Sequence, residues 1–387
     1  MDFSLPKDLQ MLKNAVREFA AKKIAPFADQ WDEQHYFPYE EVIKPMGELG
    51  FFGTVIPEEY GGENMGWVAA MIVTEEIARA SSSLRVQINM QTIGTAHTLF
   101  QYGSESLKSK YIPKLVSAEY LGGFAITEPD AGSDVLAMSS TAEKKKDHWL
   151  LNGSKTWISN ADCADLMIYY AYTDQSKGSK GLSAFAIELK NFNGVKTTGL
   201  KKMGSNSSPT GEIFLTNTRV PMENIIGKPG DGAKILFESL NHTRLSAAAG
   251  AVGLAGACLD VVIKYANKRK QFGKPIGEFQ MNQDMIAQMS TEIEAARLLV
   301  YKAAWQKDHG NLNNGLDVAH AKYFAGETVA KCANYAMRIM GAYGYSTEYP
   351  VARYYRDAPT YTMVEGSANI CKWIIALDQL GIRKANR

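Results

Sequence analysis

Glu365, in the segment YTMVEGSANICKWIIAL at 361–377, is the first candidate for acid–base chemistry. Val364 precedes it and Gly366 follows it. A carboxylate among apolar residues loses hydration, which costs free energy unless the group is paired or has a function. The composition leaves two interpretations open: a solvated glutamate on a turn, or a base held in a dry pocket.

Two further segments could bind a ligand. The stretch GFAITEPDAGSD, at 123–134, places Thr127, Gly132 and Ser133 where many backbone N–H groups are free to bind a phosphate or a planar heterocycle. The same stretch could equally be a turn between strands. In KTWISNA, at 155–161, Trp157 could fill the core or stack on an aromatic cofactor.

The composition excludes several classes of function. Lys and Arg total 42 and Asp and Glu total 41, so the net charge of +1 creates no global field for nucleic acid or an anionic membrane. The N-terminus lacks the apolar core of a signal peptide. No apolar run approaches the roughly 18 residues that cross a bilayer, so we expect no membrane insertion.

The cysteines and histidines suggest neither disulfides nor a metal site. The four cysteines are scattered without a C-x-x-C pair, which favours free thiols in a reducing cytosol. The six histidines show no metal-ligand spacing and are interpreted as structural or surface residues. These residues are Cys163, Cys258, Cys332 and Cys371, and His35, His97, His148, His242, His309 and His320.

The elements that must position these candidates follow the order α, β, α. LQMLKNAVREFAAKKI and WVAAMIVTEEIARA predict helices within 1–120. Short strand-like runs over 121–230, with a hairpin turn at Asn152-Gly153, predict a small β-barrel or sandwich. Helical spacing returns over 231–387, in a seam of Ile286, Met289, Ile293, Ala296 and Val300. Gly250, Gly253 and Gly256 have the wrong spacing for a dinucleotide fingerprint and favour close helix packing.

Four motifs together resemble the acyl-CoA dehydrogenase family: AITEPDAGSD, GSKTWISNA, RKQFGKPIGEFQ, and GAYGYSTEYPVARYYRDA followed by VEGSANI. They span essentially the whole chain in the family's order. The resemblance implies an α+β, mostly α fold, with an N-terminal helical domain (1–120), a middle β-barrel (121–230) and a C-terminal four-helix bundle (231–387). It also implies FAD bound without a Rossmann domain, a homotetramer in the bacterial cytoplasm, and electron transfer to an electron-transferring flavoprotein.

The resemblance assigns roles to individual positions. Glu365 falls on the catalytic base, and Thr243, at the position where some relatives place the base, cannot serve. Arg244 falls near the acyl-CoA thioester. Trp157 and Ser159 fall beside the isoalloxazine, and Ser159 stands where threonine is common. The other implied FAD contacts are Phe124, Ile126, Thr127, Ser133, Gly341, Ser367 and Asn369, together with Arg269, Gln271 and Phe272, which reach the FAD of a neighbouring subunit.

Two departures affect the implied FAD contacts. Ala342 stands where the family commonly has a second glycine. Ser367 and Asn369 replace the commoner Thr and Gln or Glu but still form hydrogen bonds. Ser133 is also expected to run along the bound thioester, so it counts as a substrate contact as well.

Arg85, in SSSLRVQINMQ, suggests the substrate. Composition alone favours a surface arginine with a buried stem. The glutaryl-CoA dehydrogenases of the family place at this position the arginine that binds the distal carboxylate, and Ser83 and Asn89 could assist it. Decarboxylating members have a tyrosine and a glutamate where this chain has Val364 and Ala78. The sequence therefore resembles the non-decarboxylating type, which stops at glutaconyl-CoA.

Several alternatives stay open at the level of sequence. They are a decarboxylating glutaryl-CoA dehydrogenase, a dehydrogenase of cyclic or short-chain acyl-CoA, an acyl-CoA oxidase, and a non-catalytic acyl-CoA-binding protein of the same fold. Oxidases are usually longer chains. QINMQTIGTAH lacks the aspartate that some dehydrogenases of cyclic substrates use.

Overall fold

The chain order is helices, strands and helices, which confirms the order that the sequence predicted. The computed structural model describes residues 4–382. The first six helices are α1 (Lys7–Phe19), α2 (Ala28–Gln34), α3 (Lys44–Glu48), α4 (Trp67–Ala80), α5 (His97–Tyr102) and α6 (Glu105–Val116). The predicted helix WVAAMIVTEEIARA matches α4 residue for residue.

Helix α4 forms the centre of the first part because it is buried from Trp67 to Ala78. The chain then passes through Arg85 into wide, π-type helical turns at Ile88–Ala96, all of which are buried. Such turns are rare and occur mostly at functional sites. They place Arg85 and Asn89 inside the molecule, although both side chains are polar.

The middle part is one mixed sheet. Its strands are β1 (Gly122–Ala125), β2 (Thr141–Lys144), β3 (His148–Ser159), β4 (Leu166–Tyr172), β5 (Leu182–Glu188), β6 (Val195–Gly199), β7 (Thr210–Pro221) and β8 (Ile225–Ile226). They pair in the order β6-β7-β3-β2-β4-β5-β8, and β1 adds in parallel to β4. Every residue of β4 and β5 is buried, so the sheet is covered on both faces there.

The predicted hairpin turn at Asn152-Gly153 is wrong. Strand β3 runs straight through both residues, and its register against β7 shifts between Leu151 and Gly153, which marks a β-bulge. The turn lies earlier, where the N–H of Lys145 donates to the carbonyl of His148. A side chain at position 153 would collide with Ser140, so this glycine serves a close approach within the sheet.

The last part contains four long helices and several short elements. The long helices are α7 (Gly232–Lys268), α8 (Gln280–Asp308), α9 (Gly315–Met340) and α13 (Ala368–Gln379). Between them lie the hairpin β9 (Lys270–Gln271) and β10 (Lys274–Pro275), and the helices α10 (Ala342–Tyr345), α11 (Val351–Asp357) and α12 (Thr360–Met363). The predicted seam of α8 is confirmed, because four of its five residues are buried and Ile286 packs against them.

The prediction that no apolar run approaches 18 residues is wrong for helix α7. It contains an 18-residue window with a mean hydropathy of 1.8, long and apolar enough to cross a membrane by length and composition. In the fold, 78% of that window is buried inside the protein. The window forms part of the bundle core together with α4, α8 and α9.

The small residues of α7 let it lie directly against α4 and Arg85. A methyl group added at Gly253 would lie 2.2 Å from the carbonyl oxygen of Glu75 in α4. A methyl group at Gly250 would lie 2.8 Å from Nε of Arg85. The predicted role of these glycines in close helix packing is confirmed, and two of them, Gly250 and Gly256, make room for the side chains of Arg85 and Arg79.

We expect Gly253→Ala to lower the free energy of unfolding by about 1–3 kcal/mol, because a backbone carbonyl cannot move aside for the methyl group. Gly256→Ala is the matched control on the same helix, since its methyl group would meet the flexible end of Arg79 at 2.6 Å. Thermal unfolding of both variants measures the difference. Equal losses of stability in the two variants would contradict the claim that the backbone of α4 limits the space at Gly253.

Candidate active site

A cavity of about 1380 Å³ opens where the three parts of the chain meet. The segment from Arg85 to Met90 and the loop after β1 form part of its wall. The end of β3, the stretch of α7 from Lys234 to Arg244, and the segment around Glu365 complete it. Candidate residues that lie far apart in sequence therefore face one space.

Glu365 is held by hydrogen bonds from two directions. Its Oε1 accepts from Nδ2 of Asn89 at 2.9 Å, and its Oε2 accepts from Oγ1 of Thr243 at 2.5 Å. Its backbone carbonyl accepts from Nε of Arg244 at 3.0 Å. Because both side-chain partners donate, the arrangement suits the ionised carboxylate. Glu365 lies on the cavity wall.

The backbone at Glu365 has an uncommon conformation. Its φ is 55° and that of Gly366 is 88°, both in the left-handed region that glycine adopts without strain. A methyl group at Gly366 would lie 3.0 Å from Nε of Arg244. The sequence Glu-Gly therefore allows the turn that presents the carboxylate while Arg244 stays close behind it. A strained non-glycine residue of this kind is typical of functional sites.

The surroundings of Glu365 differ from the sequence prediction. Met363 and Val364, the two apolar residues directly before it in the sequence, are 61% and 36% exposed, and Glu365 itself is half-buried. The carboxylate is positioned by hydrogen bonds rather than covered by these neighbours. Thr243, dismissed as a base, donates directly to it.

Arg85 is a buried cation without an ionic partner among the residues that the structure describes. Its side chain lies on the cavity wall and is only 3% exposed. Nε donates to the hydroxyl of Tyr361 at 3.2 Å, and the guanidinium lies 4.8 Å from the centroid of that ring. Across residues 4–382, no carboxylate lies within ion-pair distance of it. An unpaired guanidinium in such a place favours an anionic ligand.

The two expected helpers of Arg85 are placed differently. Ser83 is buried, and the structure does not bring it to the cavity wall. Asn89 is on the wall, but its amide donates to Glu365, and its Oδ1 is buried without a partner in the described chain. Tyr361, which sequence reasoning missed, is the residue that orients Arg85. Its position four residues before Glu365 was the available signal.

The loop after β1 is held by a buried ion pair. Nζ of Lys155 lies 2.8 Å from Oε1 of Glu128 and donates to the carbonyl of Ile126 at 3.0 Å. Burial alone would raise the pKa of Glu128, but Lys155 and the donors of Ser139 and Ser140 lower it to about 2. The carbonyl of Ile126 and the N–H of Thr127 belong to the same trans peptide and point in opposite directions. Because Lys155 binds that carbonyl, the N–H of Thr127 points away from Lys155.

The cavity wall beside this loop carries an exposed aromatic side chain that is free to stack on a planar ring system. Trp157 is mostly exposed and has a φ of 60°, so it does not fill the core. Phe124, Thr127 and Ser159 line the same wall. The hydroxyl of Ser208, also on the wall, is buried without a partner in the described chain, so a donor or acceptor is available there. Ile126, Ser133, Arg244, Val364 and Ser367 are the remaining predicted residues on the wall.

Five predicted cofactor residues do not line this cavity. Arg269, Gln271 and Phe272 belong to the exposed β9–β10 hairpin, and Phe272 is almost fully exposed. Gly341 and Asn369 are also exposed and lie off the wall. Ser367 is on the wall, but its hydroxyl accepts from the N–H of Ile370 and caps α13. The role of the hairpin toward a neighbouring subunit stays a prediction.

Metal-ligand groups are not found in the described part of the chain. Between residues 4 and 382, no three or more His, Cys, Asp or Glu side chains are grouped to hold an ion. All four cysteines are free thiols.

Comparison with known proteins agrees with this geometry. The N-terminal domain of acyl-CoA dehydrogenases matches residues 6–119, the middle domain matches 123–218, and the C-terminal domain matches 230–379. The glutaryl-CoA dehydrogenase of Desulfococcus multivorans is 76% identical over 389 residues, with all of both chains covered.

Solved structures show the same relationship. The structure of a glutaryl-coenzyme A dehydrogenase in complex with glutaryl-CoA has a TM-score of 0.98 at 76% identity, covering 100% of this chain and 98% of that one. A chain in the structure of the electron-transferring flavoprotein of Acidaminococcus fermentans has a TM-score of 0.96 at 37% identity, covering 99% and 100%. The chain belongs to the acyl-CoA dehydrogenase family of oxidoreductases.

Proposed function

We propose that this enzyme oxidises glutaryl-CoA between its α and β carbons and releases glutaconyl-CoA without decarboxylation. The observation that carries the proposal is the buried, unpaired guanidinium of Arg85 on the same cavity wall as Glu365. A plain fatty acyl chain would leave this charge buried without a partner, which is costly. The relatives named for glutaryl-CoA support the same substrate.

Glu365 is the proposed base. The α-proton of a thioester is weakly acidic, and a carboxylate removes it only if it is within reach and the developing oxyanion is stabilised. Asn89 and Thr243 hold the two carboxylate oxygens, and Arg244 holds the carbonyl, so the base is oriented before substrate arrives. The backbone N–H of Glu365 is proposed to polarise the thioester carbonyl.

FAD is the cofactor, and it supplies the acceptor for the β-hydride when it is bound. The residues proposed to hold it in this cavity are Phe124, Ile126, Thr127, Ser133, Trp157 and Ser159, with Ser208 added by the structure. The chain's own contribution is to fix the loop through Lys155 and Glu128, and to leave Trp157 exposed for stacking.

Arg85 sets the register of the substrate. A guanidinium bound to the distal carboxylate fixes one end of the chain, and the thioester group near Arg244 fixes the other. The α-carbon then lies between two held ends, which restricts the bound conformations and favours reaction at one methylene group. Tyr361 keeps the guanidinium from turning by accepting from its Nε.

Retention of the carboxylate is the finer part of the proposal. Val364 lies on the cavity wall and offers no polar group to a departing carboxylate. Ala78, expected at the same end, is instead buried in α4, off the wall, near Gly253 of α7. The support for retention therefore rests on Val364.

Partners and assembly are proposed from the family. Electrons pass to an electron-transferring flavoprotein, and a chain of this fold occurs in a structure named for that partner. The exposed hairpin with Arg269, Gln271 and Phe272 is proposed to reach the FAD of a neighbouring subunit in a homotetramer. The four free thiols fit the bacterial cytoplasm.

We expect Glu365→Gln to lower kcat about 10²–10⁴-fold, because the amide cannot accept the α-proton. The variant should keep its flavin absorption and still perturb that spectrum on adding glutaryl-CoA. Glu238→Gln changes another carboxylate of the cavity wall and is the control. Near-normal turnover in Glu365→Gln, or loss of turnover only in Glu238→Gln, would remove Glu365 as the base.

We expect Arg85→Met to lower kcat/KM for glutaryl-CoA by the equivalent of about 2–5 kcal/mol, with a much smaller change for butyryl-CoA. Steady-state kinetics with both thioesters test this. Tyr361→Phe keeps the ring but removes the hydroxyl that accepts from Nε of Arg85, so its kcat/KM for glutaryl-CoA should fall less than that of Arg85→Met. Equal losses for both substrates in Arg85→Met would contradict binding of the distal carboxylate.

Product analysis separates the two reaction types. With glutaryl-CoA and an artificial acceptor, we expect glutaconyl-CoA as the main product and no CO2 in an alkaline trap. A decarboxylating glutaryl-CoA dehydrogenase assayed in parallel shows that the trap works. Crotonyl-CoA and CO2 as main products would refute the retention of the carboxylate.

A further inference from the structure

Lys322 of α9 is a buried lysine that no sequence motif singled out. Its side chain is 1% exposed. Nζ donates to the carbonyl of Tyr361 at 2.6 Å and to the carbonyl of Gly366 at 3.3 Å. Across residues 4–382, no carboxylate lies within ion-pair distance of it. Its hydrogen-bond partners within the described chain are thus neutral carbonyls, and a buried cation held in this way costs stability, so a role is expected.

The two carbonyls bound by Lys322 bracket the proposed base. Tyr361 precedes Glu365 by four residues, and Gly366 follows it directly. A methyl group at Gly326, one turn further along α9, would lie 2.8 Å from the same carbonyl of Tyr361, so α9 lies directly against this segment. Arg244 binds the carbonyl of Glu365 itself. Two cations thus fix the backbone that presents the carboxylate.

We propose that Lys322 is a positioning residue for proton abstraction: its ammonium group holds the carbonyls of Tyr361 and Gly366 and so fixes the segment that presents Glu365. The inference rests on the proposed role of Glu365 as base. The same amine binds the carbonyl of Tyr361, whose ring lies against the guanidinium of Arg85. One buried group therefore links the base to the residue proposed to bind the distal carboxylate.

The charged groups around Lys322 define its pH dependence. Burial lowers the pKa of Lys322 to about 8. Cys371 of α13 and Glu365 favour the protonated amine, whereas Arg244 of α7 and Arg85 disfavour it. The positive charge is therefore present below about pH 8 and is lost as the pH rises through that value. Activity that depends on the charge should fall on the alkaline side.

Two variants and one control test the inference. Lys322→Met keeps the length of the stem without charge or donors, and Lys322→Arg keeps a charge that does not titrate in this range. Lys372→Met is the control, because Lys372 lies on α13 and pairs with Glu327 of α9 at 3.3 Å on the surface. Flavin absorption, KM for glutaryl-CoA, and kcat as a function of pH are measured for each.

Lys322→Met should keep its flavin absorption, lower kcat about 10²-fold through a displaced base, and change KM less than about threefold. Its kcat profile should lack the alkaline limb that the amine of Lys322 gives the wild type, because methionine does not titrate. Lys322→Arg should recover much of kcat and move the alkaline limb to higher pH. Lys372→Met should match the wild type.

An unchanged kcat and pH profile in Lys322→Met would overturn the inference. If Lys322→Met does not bind flavin, the test rests on Lys322→Arg. An alkaline limb of the kcat profile at the same pH as in the wild type would then overturn the inference. Failure of the proposed function is distinguishable, because it requires normal turnover in Glu365→Gln. If Glu365→Gln loses turnover while both Lys322 variants keep the kcat and pH profile of the wild type, Glu365 remains the base and only the positioning role of Lys322 is refuted.

Discussion

The active site depends on one carboxylate, that of Glu365, which is held by hydrogen bonds from two separate parts of the fold. Asn89, in the wide turns after α4, and Thr243, in α7, each donate to one oxygen of Glu365. Helix α7, which carries Thr243, lies directly against α4, the helix that precedes the turns of Asn89, and Gly253 allows that close contact. Because the two donors to the base come from separate elements of the helical core, the packing of those elements affects the geometry of the base.

An excess of positive charge surrounds that carboxylate. Arg85, Arg244 and Lys322 are all near Glu365 or the segment that carries it, and Arg85 and Lys322 have no carboxylate within ion-pair distance in the described chain. Burial, and to a smaller extent the neighbouring Arg244 and Arg85, lower the pKa of Lys322 to about 8, because each disfavours the protonated amine. A thioester with a second, distal carboxylate would restore the balance, whereas a neutral acyl chain would not. The charges of the cavity thus favour a dicarboxylic substrate.

The sequence predicted what local periodicity and motif order determine. The run WVAAMIVTEEIARA gave α4 correctly, and the apolar spacing in α8 gave its buried seam. Asn152-Gly153 misled because the same dipeptide serves in a hairpin turn and in a bulge, and only the partner strand decides between them. Lys322 acts on the carbonyls of Tyr361 and Gly366, which are distant in sequence, so no window of the chain reveals it. Tyr361 lies close to Glu365 in sequence, but only the fold brings its hydroxyl to Arg85. Motif order indicated Glu365, but not that hydrogen bonds rather than Met363 and Val364 hold it.

Hydrogen–deuterium exchange in the bound substrate tests the central claim most directly. Enzyme whose flavin has been reduced beforehand cannot oxidise glutaryl-CoA, so proton removal at carbon can be followed alone in heavy water by mass spectrometry and NMR. The account predicts exchange at C2, next to the thioester, none at C4, and loss of exchange when residue 365 is glutamine. Exchange that is absent in the wild type, equal at both methylene groups, or unaffected by that substitution would contradict a base held at Glu365.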